Sequence, residues 1–393
     1  VKTFKCILKK GKEKPLQGRH PWVFSGAIDQ IEEGLEAGDL VSLFSAGGDF
    51  LGTGYINPAS QIAVRVLEFG KEPVGEALFE KKLRAAAALR ETFGILNEKT
   101  TACRLVHSEG DFLPGLIVDK YGDTLVAQFL TAGMERWKET LAGLLEKVFK
   151  PEGIFERSDS DMREKEGLEK RSGLLAGKEP PAEIEILENG HVFLIDVRAG
   201  QKTGFFLDQR ENRASIGALS QGRKVLNCFS YTGGFSVYAA KAGASRVVSV
   251  ELSQPAQDTA RKAFERNGLK GDFEFVREDV FDYLRKTKET FDLIVLDPPA
   301  FCKTKGQVPQ ACRGYKDINL CALKKLAPGG LLFTASCSTY MTPDLFQKVV
   351  FGAAKDAGRD LRIVRKTSHA PDHPVSIFHP EGEYLKGLLC QVL

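Results

Sequence analysis

The 393-residue sequence predicts an α/β protein with a small all-β region, a mixed α+β region and, through its last half, a doubly wound parallel sheet. Short apolar runs broken by Gly, Asp, Asn and Pro occupy residues 1 to about 70. A mixture of helical and alternating patterns follows, and from about residue 195 strands alternate with helices. Apolar residues make up 42% and charged residues 27%, which excludes a disordered or collagen-like chain. The N-terminal VKTFKCILKKGKEK interrupts its apolar residues with lysines, so it is neither a secretory signal nor a spanning helix. No later stretch reaches ~18 uninterrupted apolar residues. A cytoplasmic protein with no membrane partner is expected.

Within the first region WVFSGAI, DLVSLF, FLGTGYI and IAVRVL are the strands of a small barrel, with Trp22 and Phe24 expected in its core. The domain limits read from the pattern are 1–72, 73–190 and 191–393. The middle region has helices at LFEKKLRAAAALRETF and MERWKETLAGLLEKVF, a hairpin at 104–130, and the charged FERSDSDMREKEGLEKR, expected in solvent. It closes on EIEIL and HVFLIDV. In the last region KVLNCF, RVVSVE, FEFVRED, FDLIVLD and LLFTASCS read as parallel strands, and SVYAAKAG, PAQDTARKAFERNG and YKDINLCALKKLAPGG as helices. In such sheets ligands bind at the carboxyl ends of the strands, near the switch point.

Those ends carry chemistry. The first strand runs through Gly233 and Gly234 into a helix, and glycines let a backbone approach a ligand closely. The motif is not GxGxxG, since Tyr231 stands where a first glycine would be, and there is no GxxxxGK[ST], so a mononucleotide phosphate is disfavoured. A plain strand-to-helix turn gives the same pattern. Glu251 ends the second strand at close to the ~20-residue spacing of a carboxylate that accepts ribose hydroxyls. Asp279 can accept from an adenine amino group while Val280 offers its N–H, although a surface turn acid reads alike. The fourth strand ends in Asp297-Pro298-Pro299, a segment stiffened by its prolines.

With these motifs the sequence resembles the class I S-adenosylmethionine methyltransferases, and more narrowly the PUA-domain-bearing bacterial enzymes that make 5-methylcytosine in large-subunit ribosomal RNA. GRHPWVFSGAI resembles the start of the PUA-like barrel and RLVHSEGDFLPGLIVDKYGD the middle domain. GQKTGFFLDQRENR resembles the segment that precedes the family's Rossmann-like cofactor fold, NCFSYTGGFS its cofactor loop, and DPPAF, ACRGYKDINL, SCS and HPEGEYLKG its later motifs. The resemblance implies S-adenosyl-L-methionine as cofactor, with Thr203, Phe206, Asp208 and Arg210 capping it, and Phe229, Tyr231 and Gly233 lining it. Glu251, Asp279, Val280 and Asp297 join the cofactor candidates from their strand-end positions rather than from the resemblance. Large-subunit ribosomal RNA is the implied partner. Monomer and homodimer are both left open.

Carbon 5 of cytosine is a poor nucleophile, so a thiolate must first add at carbon 6. Cys337, in Ser336-Cys337-Ser338 at the end of the fifth strand, is the candidate, against the bland reading of a buried small residue. Asp297 is expected to read the cytosine edge. Many RNA cytosine-5 enzymes carry a second cysteine directly after an Asp-x-Pro motif, where this chain has Ala300. Cys302 reads as a neutral loop residue. The eight cysteines (6, 103, 228, 302, 312, 321, 337, 390) form no CxxC pair, and His369 and His373 lack supporting ligands, so no metal is expected and the histidines are placed in a loop near the pocket.

The net charge of +3 is small but unevenly spread. Lys9, Lys10 and Arg19 in the basic N-terminal run, and Lys303, Arg313 and Lys316 with Lys305 and Tyr315 beside the active centre, are the candidate RNA-backbone contacts. Two other readings compete: methylation of an exocyclic base nitrogen, with Ala300 intervening before the aromatic Phe301, and a catalytically silent RNA-binding assembly factor.

Overall fold

In the computed structural model, which describes residues 2–393, contacts divide the chain into two compact units. The first holds the residues up to Ile186 together with Ile195–Leu207 and Pro371–Gly382. The second holds Leu187–Leu194, Asp208–Ala370 and Glu383–Leu393. Among the described residues no helix is long and apolar enough to cross a membrane.

The first unit begins with β1 (Thr3–Leu8), a one-turn α1 (Lys14–Gln17), β2 (Trp22–Phe24), β3 (Ile28–Ile31), β4 (Leu40–Phe44), β5 (Phe50–Ile56) and β6 (Ile62–Glu68). Their order in the sheet is β2-β6-β5-β4-β1-β3, with β1 and β4 parallel. In β1 Thr3, Lys5 and Ile7 alternate with Phe4, Cys6 and Leu8, which are buried. This period of two turns part of the basic run into a strand. Alternation also corrects the placement of two aromatics. Val23 is the residue of β2 that enters the core, while Phe24 is 52% exposed and Trp22 is half-buried, donating its indole N–H to Glu109 Oε1 at 2.8 Å.

Next come α2 (Glu76–Thr92), β7 (Ala102–His107), β8 (Leu116–Tyr121), β9 (Thr124–Phe129), α3 (Ala132–Arg136), α4 (Lys138–Phe149), β10 (Gly153–Ser158) and β11 (Arg171–Gly177). The sheet order is β11-β10-β9-β8-β7. The expected hairpin at 104–130 is therefore part of a three-strand antiparallel run, β7 to β9.

The charged segment expected in solvent is exposed at Asp161, Glu164, Lys165, Glu169, Lys170 and Arg171, but four of its charges, Glu156, Arg157, Arg163 and Glu166, are interior. Glu166 is 4% exposed and accepts from Arg65 Nη1 at 2.8 Å, Ser60 Oγ at 2.9 Å and Asn57 Nδ2 at 3.0 Å. Arg163 is 1% exposed and donates to Glu135 at 2.7 Å and to the Phe129 carbonyl. Buried charges are tolerated when paired and hydrogen-bonded in this way. The strands β12 (Ile184–Glu188) and β13 (His191–Ile195) pair as a two-stranded sheet.

The second unit continues through α5 (Arg210–Ala218), β14 (Lys224–Cys228), α6 (Gly234–Lys241), β15 (Arg246–Val250), α7 (Gln254–Arg266), β16 (Phe273–Val276), α8 (Val280–Lys286) and β17 (Phe291–Leu296). It ends with α9 (Val308–Lys325), β18 (Leu326–Ser336), α10 (Pro343–Ala357), β19 (Leu361–Thr367) and β20 (Lys386–Val392). The seven strands lie in the order β16-β15-β14-β17-β18-β20-β19. The first five are parallel, as the alternation predicts, and the order reverses between β14 and β17. β20, antiparallel to β18, and β19, antiparallel to β20 and so aligned with the first five, are additions that the strand-helix pattern did not reveal. Apolar residues of β14, β15, β17 and β18 pack with α8, α9 and α10 in one core, including Leu226, Val248, Ile294, Leu332, Tyr315 and Phe346.

Candidate active site

One row of paired residues crosses the second unit's sheet: Val276, Val250, Cys228, Leu296, Thr334 and Leu388. Phe229, Glu251 and Asp297 each follow their row residue by one position, and Asp279 and Cys337 by three. Lys386 pairs with Ser336 just before Cys337. The parallel register thus brings the acids and the thiol to one carboxyl-end rim, at the switch point where such sheets bind ligands.

The loop after β14 is built to bring backbone close to whatever occupies that rim. Phe229, Tyr231 and Gly233 all have positive φ (58°, 47° and 80°). For the two aromatics this left-handed geometry is uncommon, and it concentrates at functional turns. A Cβ at Gly233 would lie 3.0 Å from Ala260 Cβ. The loop is tied to the next strand end, since Glu251 Oε2 accepts the Tyr231 N–H at 2.9 Å and Oε1 accepts that of Ser253 at 2.9 Å. Each oxygen keeps a second lone pair for a hydroxyl donor. Ser230 and Thr232 are buried, and neither hydroxyl has a hydrogen-bond partner among the described residues.

At the next strand end Asp279 is exposed and caps α8, its Oδ1 accepting from Phe281 N at 2.9 Å and Asp282 N at 3.2 Å. Val280 is 3% exposed. Beside the rim, Asp208 is buried and accepts from the Tyr384 hydroxyl at 2.7 Å, and Arg210 is buried at the start of α5. Thr203 and Phe206 fall in the first unit. Thr203 is fully buried there, donating to Asp119 Oδ2 at 2.5 Å and hydrogen-bonded to the Tyr121 hydroxyl at 2.8 Å, and Lys202 Nζ stands 4.6 Å from the Phe206 ring centroid.

Asp297 is half-buried and accepts from Gln209 Nε2 at 2.8 Å. Gln209 Oε1 in turn accepts from Asn212 Nδ2 at 2.6 Å, and Asn212 also donates to the Ser368 carbonyl at 3.3 Å. Cys337 is half-buried, whereas Cys302 is 2% exposed with its Sγ donating to the Thr304 carbonyl at 3.0 Å, a structural loop thiol.

The serines flanking Cys337 are both fully buried and share one tyrosine. Ser336 Oγ donates to the Tyr315 hydroxyl at 2.9 Å, and that hydroxyl is 3.1 Å from Ser338 Oγ. Burial raises the Tyr315 pKa, so the phenol stays neutral. Tyr315 is therefore not the RNA contact expected of it. Its spacing with Ala311, Ile318 and Ala322 puts it on the inner face of α9.

Lys9, Lys10 and Arg19 are exposed in the first unit, and the Arg19 guanidinium lies over the Phe69 and Phe378 rings at 5.6 and 5.2 Å. In the second unit Lys303 and Arg313 are exposed, and Lys316 pairs with Asp356 at 2.7 Å. His373 is buried in the first unit at 3.1 Å from Asp372 Oδ1, and His369 lies in the second unit, 5.4 Å from the Tyr384 ring. Among the described residues no group of three or more His, Cys, Asp or Glu side chains is placed to hold a metal.

Residues 168–389 match the model of a family described as S-adenosylmethionine-dependent methyltransferase, and residues 6–69 match a PUA-like domain. The chain belongs to the S-adenosylmethionine-dependent methyltransferases. A relative named ribosomal RNA large subunit methyltransferase I from Shewanella amazonensis is 48% identical over 99% of this chain and 100% of its own length. The protein of the same name from Pseudoalteromonas translucida is 47% identical over the same shares. Among solved structures, a protein assigned as a SAM-dependent methyltransferase from Streptococcus mutans aligns with a TM-score of 0.85 at 26% identity, covering 99% of this chain and 100% of that one. A methyltransferase solved in complex with SAH gives 0.86 at 27% identity over the same shares.

The methyltransferase rim fits its cofactor. Glu251 supplies acceptors for a diol, the positive-φ loop brings backbone to the rim, and the buried Ser230 and Thr232 hydroxyls retain hydrogen-bonding capacity. The sequence had signalled the strand-end acids and the cysteine. Gln209, Asn212 and Lys386 carried no such signal, because only the sheet register and the helix α5 bring them to the rim.

Proposed function

We propose that this methyltransferase modifies carbon 5 of a cytosine in large-subunit ribosomal RNA through a covalent adduct at Cys337. The observation that carries the reading is the position of a half-buried cysteine on the same rim as Asp297 and Glu251, while the nearby Cys302 is sealed in the interior. The names of the ribosomal RNA methyltransferase relatives and the PUA-like domain support RNA as the substrate class.

When bound, S-adenosylmethionine supplies an electrophilic methyl group. The Cys337 thiolate adds to carbon 6 of the base, and the electron density gained at carbon 5 makes that carbon nucleophilic. Asp297, oriented by Gln209, accepts from the amino edge of the cytosine. The base reaches the rim unstacked, or from a single-stranded segment. Exposed Lys303 and Arg313 near the rim, and Lys9, Lys10 and Arg19 in the first unit, contact RNA phosphates.

Phe301 packs at 4.6 Å on Tyr315 and against the core. It is thus not presented as an open stacking face of the kind that amino-group methylation after an Asp-Pro-Pro motif would use.

RNA carrying 5-fluorocytosine tests the reading, since fluorine at carbon 5 blocks the release of the adduct. A covalent complex is expected with the unaltered protein and none with Cys337→Ser. Turnover on natural RNA without any trapped complex would overturn the mechanism. Asp297→Ala is expected to lower methyl transfer by about 10²–10⁴ while cofactor affinity, measured by calorimetry, changes little. Unchanged turnover would remove Asp297 from the chemistry.

A further inference from the structure

Lys386 is 6% exposed at the start of β20. Its backbone pairs with Ser336, and its Nζ donates to the carbonyl of Ser338 at 2.8 Å, so the residue is held to both chain neighbours of Cys337, the amine by the second of them. An ammonium is costly to bury without an opposite charge, yet among the described residues Lys386 forms no ion pair with a carboxylate. Burial pushes its pKa down to about 8, and the two groups whose charge resists that shift are Cys337, first, and Glu383 on its own segment. From α9 the group facing Cys337 is the neutral Tyr315. Electrostatic coupling is reciprocal: whatever a thiolate does to hold the proton on the amine, the ammonium does to favour the thiolate.

We propose that Lys386 is a positioning residue for the reaction, its ammonium holding Cys337 as the thiolate when the base arrives. The proposal rests on the role assigned to Cys337 above. Ionisation releases the thiol proton to water and leaves the electron pair on Sγ, so no other group changes state. The site then carries a fixed cation beside its nucleophile, the arrangement that activates thiols elsewhere in proteins. The effect is present while Lys386 is protonated, below about pH 8, and fades above it.

The test measures the thiol without RNA or methyl transfer. The rate of iodoacetamide alkylation of the Cys337 peptide is followed by mass spectrometry from pH 6 to 10 in the full-length protein. In the unaltered protein the rate should titrate below the ~8.5 of a free thiol. Lys386→Met should slow alkylation about tenfold at pH 7, with the two rates converging above pH 9, and Lys386→Arg should restore the rate. A titration at or above 8.5 in the unaltered protein overturns the proposal even if Lys386→Met fails to fold. Identical profiles for a folded Lys386→Met do so as well. The 5-fluorocytosine adduct is scored separately, so a failed proposal about Lys386 is distinguishable from a failed assignment of Cys337.

Discussion

Cys337→Ala is expected to lower methyl transfer by about four orders of magnitude or more, because loss of the proposed nucleophile would remove the covalent route and leave only binding and orientation. The same change should scarcely alter stability. Cys337 is half-buried and lies outside the apolar cluster that holds Cys228, Cys302 and Cys390, so its removal opens little cavity. Cys302→Ala is the informative contrast. It deletes a 2%-exposed side chain and its contact with Thr304, costing stability but not chemistry. Single-turnover transfer of a labelled methyl group, run beside thermal unfolding, separates the two. If Cys337→Ala keeps turnover within tenfold of the unaltered protein, the thiol is not the nucleophile.

The largest effect on folding is expected from Arg213→Met, about 3–5 kcal/mol. Arg213 in α5 and Glu188 at the end of β12 are 3% and 1% exposed and form a two-bond pair at 2.7 and 2.6 Å, to which the Tyr238 hydroxyl adds a bond to Glu188 at 3.1 Å. Removing the arginine leaves a carboxylate in the interior with one neutral donor. The arginine also packs on the first turn of α6, where a Cβ at Gly234 would meet its Cδ at 2.9 Å. Its loss therefore loosens the helix that follows the cofactor loop, and cofactor affinity should fall together with stability. Urea unfolding measures the cost. Arg213→Met combined with Glu188→Leu should regain part of it, because Glu188 is then no longer orphaned while the buried Asp208 still loses the arginine's charge. A loss below 1 kcal/mol for the single change would show that water reaches Glu188.

The parallel strands β14 to β18 and the acids at their ends were legible because each is a short apolar run, four of them closed by a polar residue or turn. β19 was not: LRIVRKT mixes apolar and basic residues without regular alternation, and Ile363 and Val364 are exposed at 38% and 59%, so no buried face announces it. Glu166 and Arg163 were misplaced for a different reason. A mixed-sign run reads as solvated unless its partners are known, and Arg65 lies about a hundred residues earlier in the chain. Tyr315 was masked by the basic residues around it, although its helical spacing with Ala311, Ile318 and Ala322 marks an inward face. Lys386 depends on antiparallel register with Ser336, a fact of pairing that no local pattern contains.

The amide chain beneath Asp297 bears on which pyrimidine the proposed pocket tolerates. The Ser368 carbonyl can only accept, which turns the Asn212 NH2 toward it, presents the Gln209 oxygen to Asn212, and directs the Gln209 NH2 at Asp297. A carboxylate addressed by a donor in this way needs no proton of its own and meets its guest as an acceptor. Cytosine offers N–H there, whereas uracil would bring the lone pairs of its O4 against it. Discrimination between the two bases would thus be anchored in a main-chain oxygen that never meets the RNA.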